Sequence, residues 1–235
     1  MNTIIFDAGP IISLALNNLL WVLNPLEKEY RGKFCITEGV KKEIVDAPLL
    51  SKRFKFEALQ VMRQIKDGTL AILSGGGIER LGDELLNLAN RSFSAKGNPI
   101  HLVDYGEITT VAASILHQAD AIVVDERTTR LLIENPLRLQ YILSHKLHTQ
   151  VNADQGMLRR FHETVKHIKV IRSVELITVA YEMGVLDSYV PDLPDARRHL
   201  LDSVLWGVKL QGCAVSRNEI EQIMRLEFRQ RPRAS

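Results

Sequence analysis

The chain has 235 residues, 46% of them hydrophobic and 25% charged, with a formal net charge of +2. That composition supports a large domain with a real core and excludes an intrinsically disordered chain, while the near-balanced charge neither demands nor excludes a nucleic-acid partner. Two cysteines, Cys35 and Cys213, stand far apart with no CxxC spacing, which excludes a disulfide framework and a cysteine-ligated zinc site. No apolar run is long enough to span a bilayer, and Ile4-Ile5-Phe6-Asp7 reads as a strand rather than a signal peptide. A cytoplasmic protein with no membrane partner is therefore expected. Basic residues cluster at Lys52-Arg53-Phe54-Lys55, Arg159-Arg160, Arg197-Arg198 and 225–233, each a solvated face or a patch for a polyanion.

Residues 3–6 are a short apolar run ending on Asp7. Gly9-Pro10 then opens a helix carrying Ile11, Ile12, Leu14, Leu16, Leu19 and Leu20, with Pro10 suited to its first turn. Residues 33–36 read as a second strand, and Thr37 caps a helix running to about Asp46. Apolar residues at 58, 59, 61, 62 and 65 give a helical period over 57–66, and 70–73 reads as a third strand. A Gly75-Gly76-Gly77 loop precedes a helix over about 78–90, and 92–99 reads as a polar loop. Asp104 opens a helix to about His117, and 121–124 is a fully apolar strand ending on Asp125.

In the second half, 137–150 and 154–167 read as helices with no strand between them, hence an insertion at about 136–167. Residues 167–171 are the last strand candidate. Ser173 caps a helix to about Glu182, closed by Gly184, and helices follow at 195–210 and 216–229, the latter opened by a Ser216-x-x-Glu219 capping box. Short apolar strands separated by helices predict an α/β fold: three layers, α/β/α, around a parallel sheet of about five strands, plus extra C-terminal helices. The domain is expected over 1–186, with a helical extension over 187–235 packing on it.

Four carboxylates recur at equivalent places in this pattern. Asp7 and Asp125 end strands, whereas Glu43 and Glu107 lie on helices that follow other strands. In a parallel α/β sheet ligands bind beyond the carboxyl ends of the strands, so all four are candidates for one site. Glu43 shares a helix face with Val40, Ile44 and Ala47, and an inward carboxylate is costly unless it is paired or bound to a cation. Glu107 has two readings, a site ligand or the third residue of a capping box opened by Asp104. An aspartate that simply ends a strand in a turn remains the alternative for Asp7 and Asp125.

The opening Ile4-Ile5-Phe6-Asp7-Ala8-Gly9-Pro10-Ile11-Ile12-Ser13-Leu14 resembles that of PIN-domain proteins. Ile36-Thr37-Glu38-Gly39-Val40-Lys41-Lys42-Glu43-Ile44, Asp104-Tyr105-Gly106-Glu107-Ile108 and Ala121-Ile122-Val123-Val124-Asp125-Glu126-Arg127-Thr128-Thr129-Arg130 resemble the later acidic segments of that family, in order, over about residues 3–133. Residues 170–176 and 184–186 resemble the last strand and helix of its archaeal and bacterial members.

The resemblance implies a PIN-like fold and metal-dependent cleavage of single-stranded RNA with Mg²⁺ or Mn²⁺, the hard cations that carboxylate oxygens suit. It makes Asp7 the central ligand, with Glu43, Glu107 and Asp125 as direct or water-mediated ligands. Asp104 is then an outer support or simply a cap. Thr128, Thr129 and Arg130 face the phosphate, unless Arg130 serves a surface ion pair. Ser13 supports Asp7, unless it is only a buried helix serine. The alternative is a catalytically silent PIN-like scaffold that binds RNA or protein.

The chain's length, its insertion and its extra helices depart from compact toxin-type members, so an antitoxin-like partner finds no support. Apolar residues on the extra helices form a homodimer face or complete the core. A haloacid-dehalogenase-like phosphatase needs an acid where Gly9 stands, and Gly75-Gly76-Gly77 lacks the rest of a P-loop. His145-x-x-His148 lacks the further ligands of a metal site.

Overall fold

The computed structural model describes residues 2–229. Along the chain, β1 (Thr3–Phe6) leads into α1 (Ala8–Leu16), a 3₁₀ turn (Leu20–Val22) and α2 (Leu23–Tyr30). Next come β2 (Lys33–Thr37), α3 (Glu38–Lys41), a π-helical stretch (Lys42–Asp46), α4 (Ala47–Leu49) and α5 (Lys55–Lys66). After β3 (Leu70–Leu73) and α6 (Ile78–Arg91), a hairpin of β4 (Phe93–Ala95) and β5 (Asn98–Pro99) precedes α7 (Tyr105–Leu116) and β6 (Ala121–Val123). Then follow α8 (Arg127–Glu134), α9 (Pro136–Lys146), β7 (Val151–Ala153), α10 (Gln155–Val165), β8 (Val170–Ile171) and α11 (Ser173–Glu182). A 3₁₀ turn (Asp187–Tyr189) leads to α12 (Ala196–Leu210) and α13 (Arg217–Arg229).

Five strands form one parallel sheet in the order β3-β2-β1-β6-β8. The alternation of strand side chains divides the core into two. Ile4, Phe6, Phe34, Ile36 and Val123 face one side and pack with α1, α2, α5 and α11. Ile5, Cys35, Ile122 and Val124 face the other and pack with α6, α7, α8 and α10. Both faces are covered, so the strands read as continuous apolar runs rather than alternating ones. This is the expected three-layer α/β/α arrangement. The extra helices α12 and α13 add Leu201, Leu205, Val208 and Ile220 to the first of these cores.

Local departures from the expectations have physical causes. The helix expected to continue through Leu20 ends at Leu16, because Asn18 turns into the left-handed region at φ 55°. Among the described residues no single helix is long and apolar enough to cross a membrane, and the two N-terminal helical segments bend by 118°. The 92–99 stretch is a hairpin, and the insertion is not all-helical. β7 pairs with β4 in register Phe93↔Ala153, Ser94↔Asn152 and Ala95↔Val151, making a small antiparallel sheet β5-β4-β7. A three-residue strand is too short to show a period, and its partner lies far away in sequence. The end of the basic cluster, 230–233, lies outside the described residues.

Candidate functional site

The chain runs from β1 outward to β2 and β3, then returns to place β6 on the other side of β1. The strand order therefore reverses between β1 and β6, where such sheets leave a crevice at their carboxyl ends. Asp7 follows β1 and Asp125 follows β6, and both are buried, at 5% and 3% exposure. Gly9 sits between them: a Cβ there would lie 3.8 Å from Asp7 Oδ2 and 3.8 Å from Asp125 Cβ. A cleft of about 400 Å³ is lined by Asp7, Glu43, Asp104, Glu107, Asp125 and Glu126. The loop between α12 and α13 closes one side with Gln211 and Gly212.

Asp7 occupies the N-cap position of α1 in extended geometry, yet its side chain closes no cap hydrogen bond. Burial raises its pKa to about 7, and the charges of Glu107 and Glu43 add to that rise. The amides of Ala8 and Gly9 only partly oppose it. Glu107 is also raised, by burial and by the charges of Glu126 and Asp104; the Asp104 amide and the Thr129 hydroxyl pull it back. Thr129 Oγ1 is itself buried and reaches no full hydrogen bond. Glu43, at the solvent-facing rim, is raised by partial burial and by the Asp104 charge. Several carboxylates thus crowd one cleft, and among the described residues no cationic side chain lines it.

The remaining candidates sort differently. Glu43 does not lie on the buried face of its helix. The π-helical stretch at Lys42–Asp46 changes the register, leaving Val40 and Ile44 buried while Glu43 and Ala47 emerge. Glu43 then reaches α7, where its Oε2 would stand 2.9 Å from a Cβ at Gly106. Glu107 accepts the Asp104 amide at 3.0 Å, so it serves as a cap residue and as a wall of the cleft. Asp104 is exposed and pairs with His101 at 2.8 Å.

Asp125 is held from both sides: Ser173 donates its amide to Oδ1 at 2.8 Å and its hydroxyl to Oδ2 at 2.7 Å. Burial raises its pKa, and Ser173 and the Cys213 thiol oppose the rise. Ser13 is buried but donates to the Val208 carbonyl at 3.4 Å, tying α1 to α12 rather than supporting Asp7. Thr128 bonds Glu126 through its amide and, at 3.2 Å, its hydroxyl. Arg130 pairs with Glu134 at 3.4 Å and lines a different pocket.

Glu126, Ser173 and Cys213 also belong to the site, beyond the four acids the sequence points to. Glu126 had a signal, its place directly after Asp125. Ser173, expected as a helix cap, is the first residue of α11, and no local pattern announces its grip on Asp125.

The donors converging on Asp7 are hard carboxylate oxygens, which suit Mg²⁺ or Mn²⁺ rather than a soft thiophilic metal. Among the described residues, no three His, Cys, Asp or Glu side chains already stand in a metal-holding arrangement. A cation would have to draw Glu43 and Glu107 toward Asp7. Compared with protein-family models, with curated proteins and with solved structures, the chain finds no match.

Proposed function

We propose that this cleft binds Mg²⁺ or Mn²⁺ and hydrolyses phosphodiester bonds of single-stranded RNA, in the manner the PIN-domain resemblance implies. The observation that carries the reading is Asp7. It is buried at the β1/β6 crossover, does not cap its helix, and is pushed to about 7 by burial and by Glu107 and Glu43. An acid left in that condition by the fold is a functional-site candidate on physical grounds.

Asp7 is the central ligand, with Glu43 and Glu107 as its flexible partners from two other elements. A divalent ion there supplies positive charge for the reacting phosphate and a more acidic water. Asp125, with both oxygens engaged by Ser173, orients a water through its remaining lone pairs. Glu126 keeps the rim negative, and Thr129 tempers Glu107.

The same grip of Ser173 on Asp125 favours a second reading, a silent RNA- or protein-binding scaffold. The deciding measurement is cleavage of labelled single-stranded RNA with Mn²⁺ or Mg²⁺ by wild type and Asp7→Asn. Wild type is expected to cleave, and the variant to lose at least ~100-fold. Equal cleavage by both removes the mechanism. No cleavage by either, with tight RNA binding, selects the scaffold.

A further inference from the structure

A separate pocket of about 470 Å³ opens between α8, α9 and the start of α13. Arg127, Arg130 and Arg138 line one wall, and Ser216, Asn218 and Gln222 the other. Among the described residues that line it, Glu219 alone carries a carboxylate, and that group is already engaged by Arg172 at 2.9 Å and by the Ser216 amide at 2.8 Å. Arg130 makes one long contact with Glu134, 3.4 Å, and its buried Nε meets no acceptor among the described residues. The guanidinium groups of Arg127 and Arg138 make no ion pair or hydrogen bond among the described residues.

Three guanidinium groups, one with an orphaned buried N–H, beside a serine hydroxyl and two amide side chains, form a donor-rich pocket. A group with several anionic oxygens satisfies such a set, and the guanidinium fork matches phosphate. The pocket is also mechanically tied to the acid cleft. The Ala214 amide donates to the Asp125 carbonyl at 2.9 Å, and Arg172 donates to the Ala214 carbonyl at 3.0 Å. Along the chain, Glu126 lines the cleft and the next residue, Arg127, lines the pocket.

The acid cleft repels a polyanion, so a strand cut there needs a positive anchor nearby. We propose that the Arg127–Arg130–Arg138 pocket is that anchor and binds a phosphate group of the single-stranded RNA cleaved in the acid cleft. This inference rests on the proposed function for the identity of the strand.

The test is binding of a short fluorescein-labelled oligouridylate in EDTA, followed by anisotropy over a salt series. Wild type is compared with the double variant Arg127→Gln, Arg138→Gln, whose exposed side chains make no hydrogen bond or ion pair among the described residues. The double variant should bind about tenfold or more weakly, and the slope of log affinity against log salt should shrink by up to about 1.4, roughly 0.7 for each charge removed on a single strand. Running the oligonucleotide with a 5′-phosphate and with a 5′-hydroxyl separates the two sources of phosphate. Equal weakening points to an internal phosphodiester, and weakening of the 5′-phosphorylated form alone points to the strand end. Either result supports the pocket. Unchanged affinity and slope in the double variant, or no binding by wild type, overturns it. Weakened binding by the double variant, with no cleavage by wild type in Mn²⁺, would sink the nuclease reading and leave the pocket standing.

Discussion

Two charged clusters lie on either side of Asp125, and they are built on opposite logic. In the acid cleft, Asp7, Glu43 and Glu107 all have raised pKa values because burial and like charges act together. On the other side, Arg172 collects Glu175 at 3.0 Å, Glu219 at 2.9 Å and the Ala214 carbonyl at 3.0 Å. There burial pushes Glu219 up, but Ser216 and Arg172 more than offset it and hold the carboxyl down at about 2. One cluster is satisfied by partners of opposite charge, and the other, among the described residues, holds carboxylates without one. The satisfied cluster fastens β8 and α11 to α13, so it belongs to stability. Under the proposed reading, the unsatisfied one is the seat of function.

The sharpest way to break this contrast is Asp7→Asn, read as stability against pH. Folding raises the Asp7 pKa from 3.8 to about 7, so the folded state holds its proton more tightly than the unfolded chain does. The neutral form is the favoured one in the fold. Stability is therefore lost as pH rises from about 4 through about 7, then levels off. At about 1.4 kcal/mol per pKa unit, ~4 kcal/mol is the upper limit of that loss. Asp7→Asn should flatten this part of the curve and melt at a higher temperature than wild type at pH 8. Saturating Mn²⁺ should raise the wild-type melting temperature and leave the variant unmoved. A variant less stable than wild type at pH 8 would mean that Asp7 is a structural residue already satisfied by its neighbours.

Arg172→Met probes the opposite cluster. Arg172 is 11% exposed, and removing it leaves Glu219, Glu175 and the Ala214 carbonyl without their shared donor. A loss of about 2–3 kcal/mol in urea unfolding is expected, near the lower end for broken buried ion pairs because both glutamates stay partly exposed. The sign with pH is the reverse of the Asp7 case. The contribution of Glu219 is present above its unfolded pKa and is lost as pH falls through about 2. If Arg172→Met and wild type unfold at the same urea concentration, the division between a satisfied and an unsatisfied cluster loses its basis.

The sheet was legible because its strands are apolar on both faces and end in punctuation, as at Phe6-Asp7 and Val123-Val124-Asp125. The strand-end acids were legible for the same reason. Three features were not. The π-helical stretch that carries Glu43 outward depends on packing against α5 and α1, and no residue in Lys42–Asp46 marks it. The β4–β7 pairing joins short segments through a distant contact. Asp125 meets Ser173 across 48 residues, a contact that exists only because β8 lies beside β6. Local chemistry predicted where charges would lie. Only the topology decided which of them would be paired.

The smallest expected stability effect comes with a clear functional one, at Gly106. Alanine there removes a flexible residue from the first turn of α7, which favours the helix by up to about 1 kcal/mol. Its Cβ would also stand 2.9 Å from Glu43 Oε2, closer than van der Waals contact allows. The atom it meets is the end of a flexible side chain, so the fold can yield by turning Glu43 away. Gly106→Ala should therefore melt at or slightly above the wild-type temperature while binding Mn²⁺ about 10-fold more weakly in calorimetry, the scale on which misplaced ligand supports act. Unchanged Mn²⁺ affinity would show that Glu43 takes no part in holding the cation, and that the site rests on Asp7 and Glu107 alone.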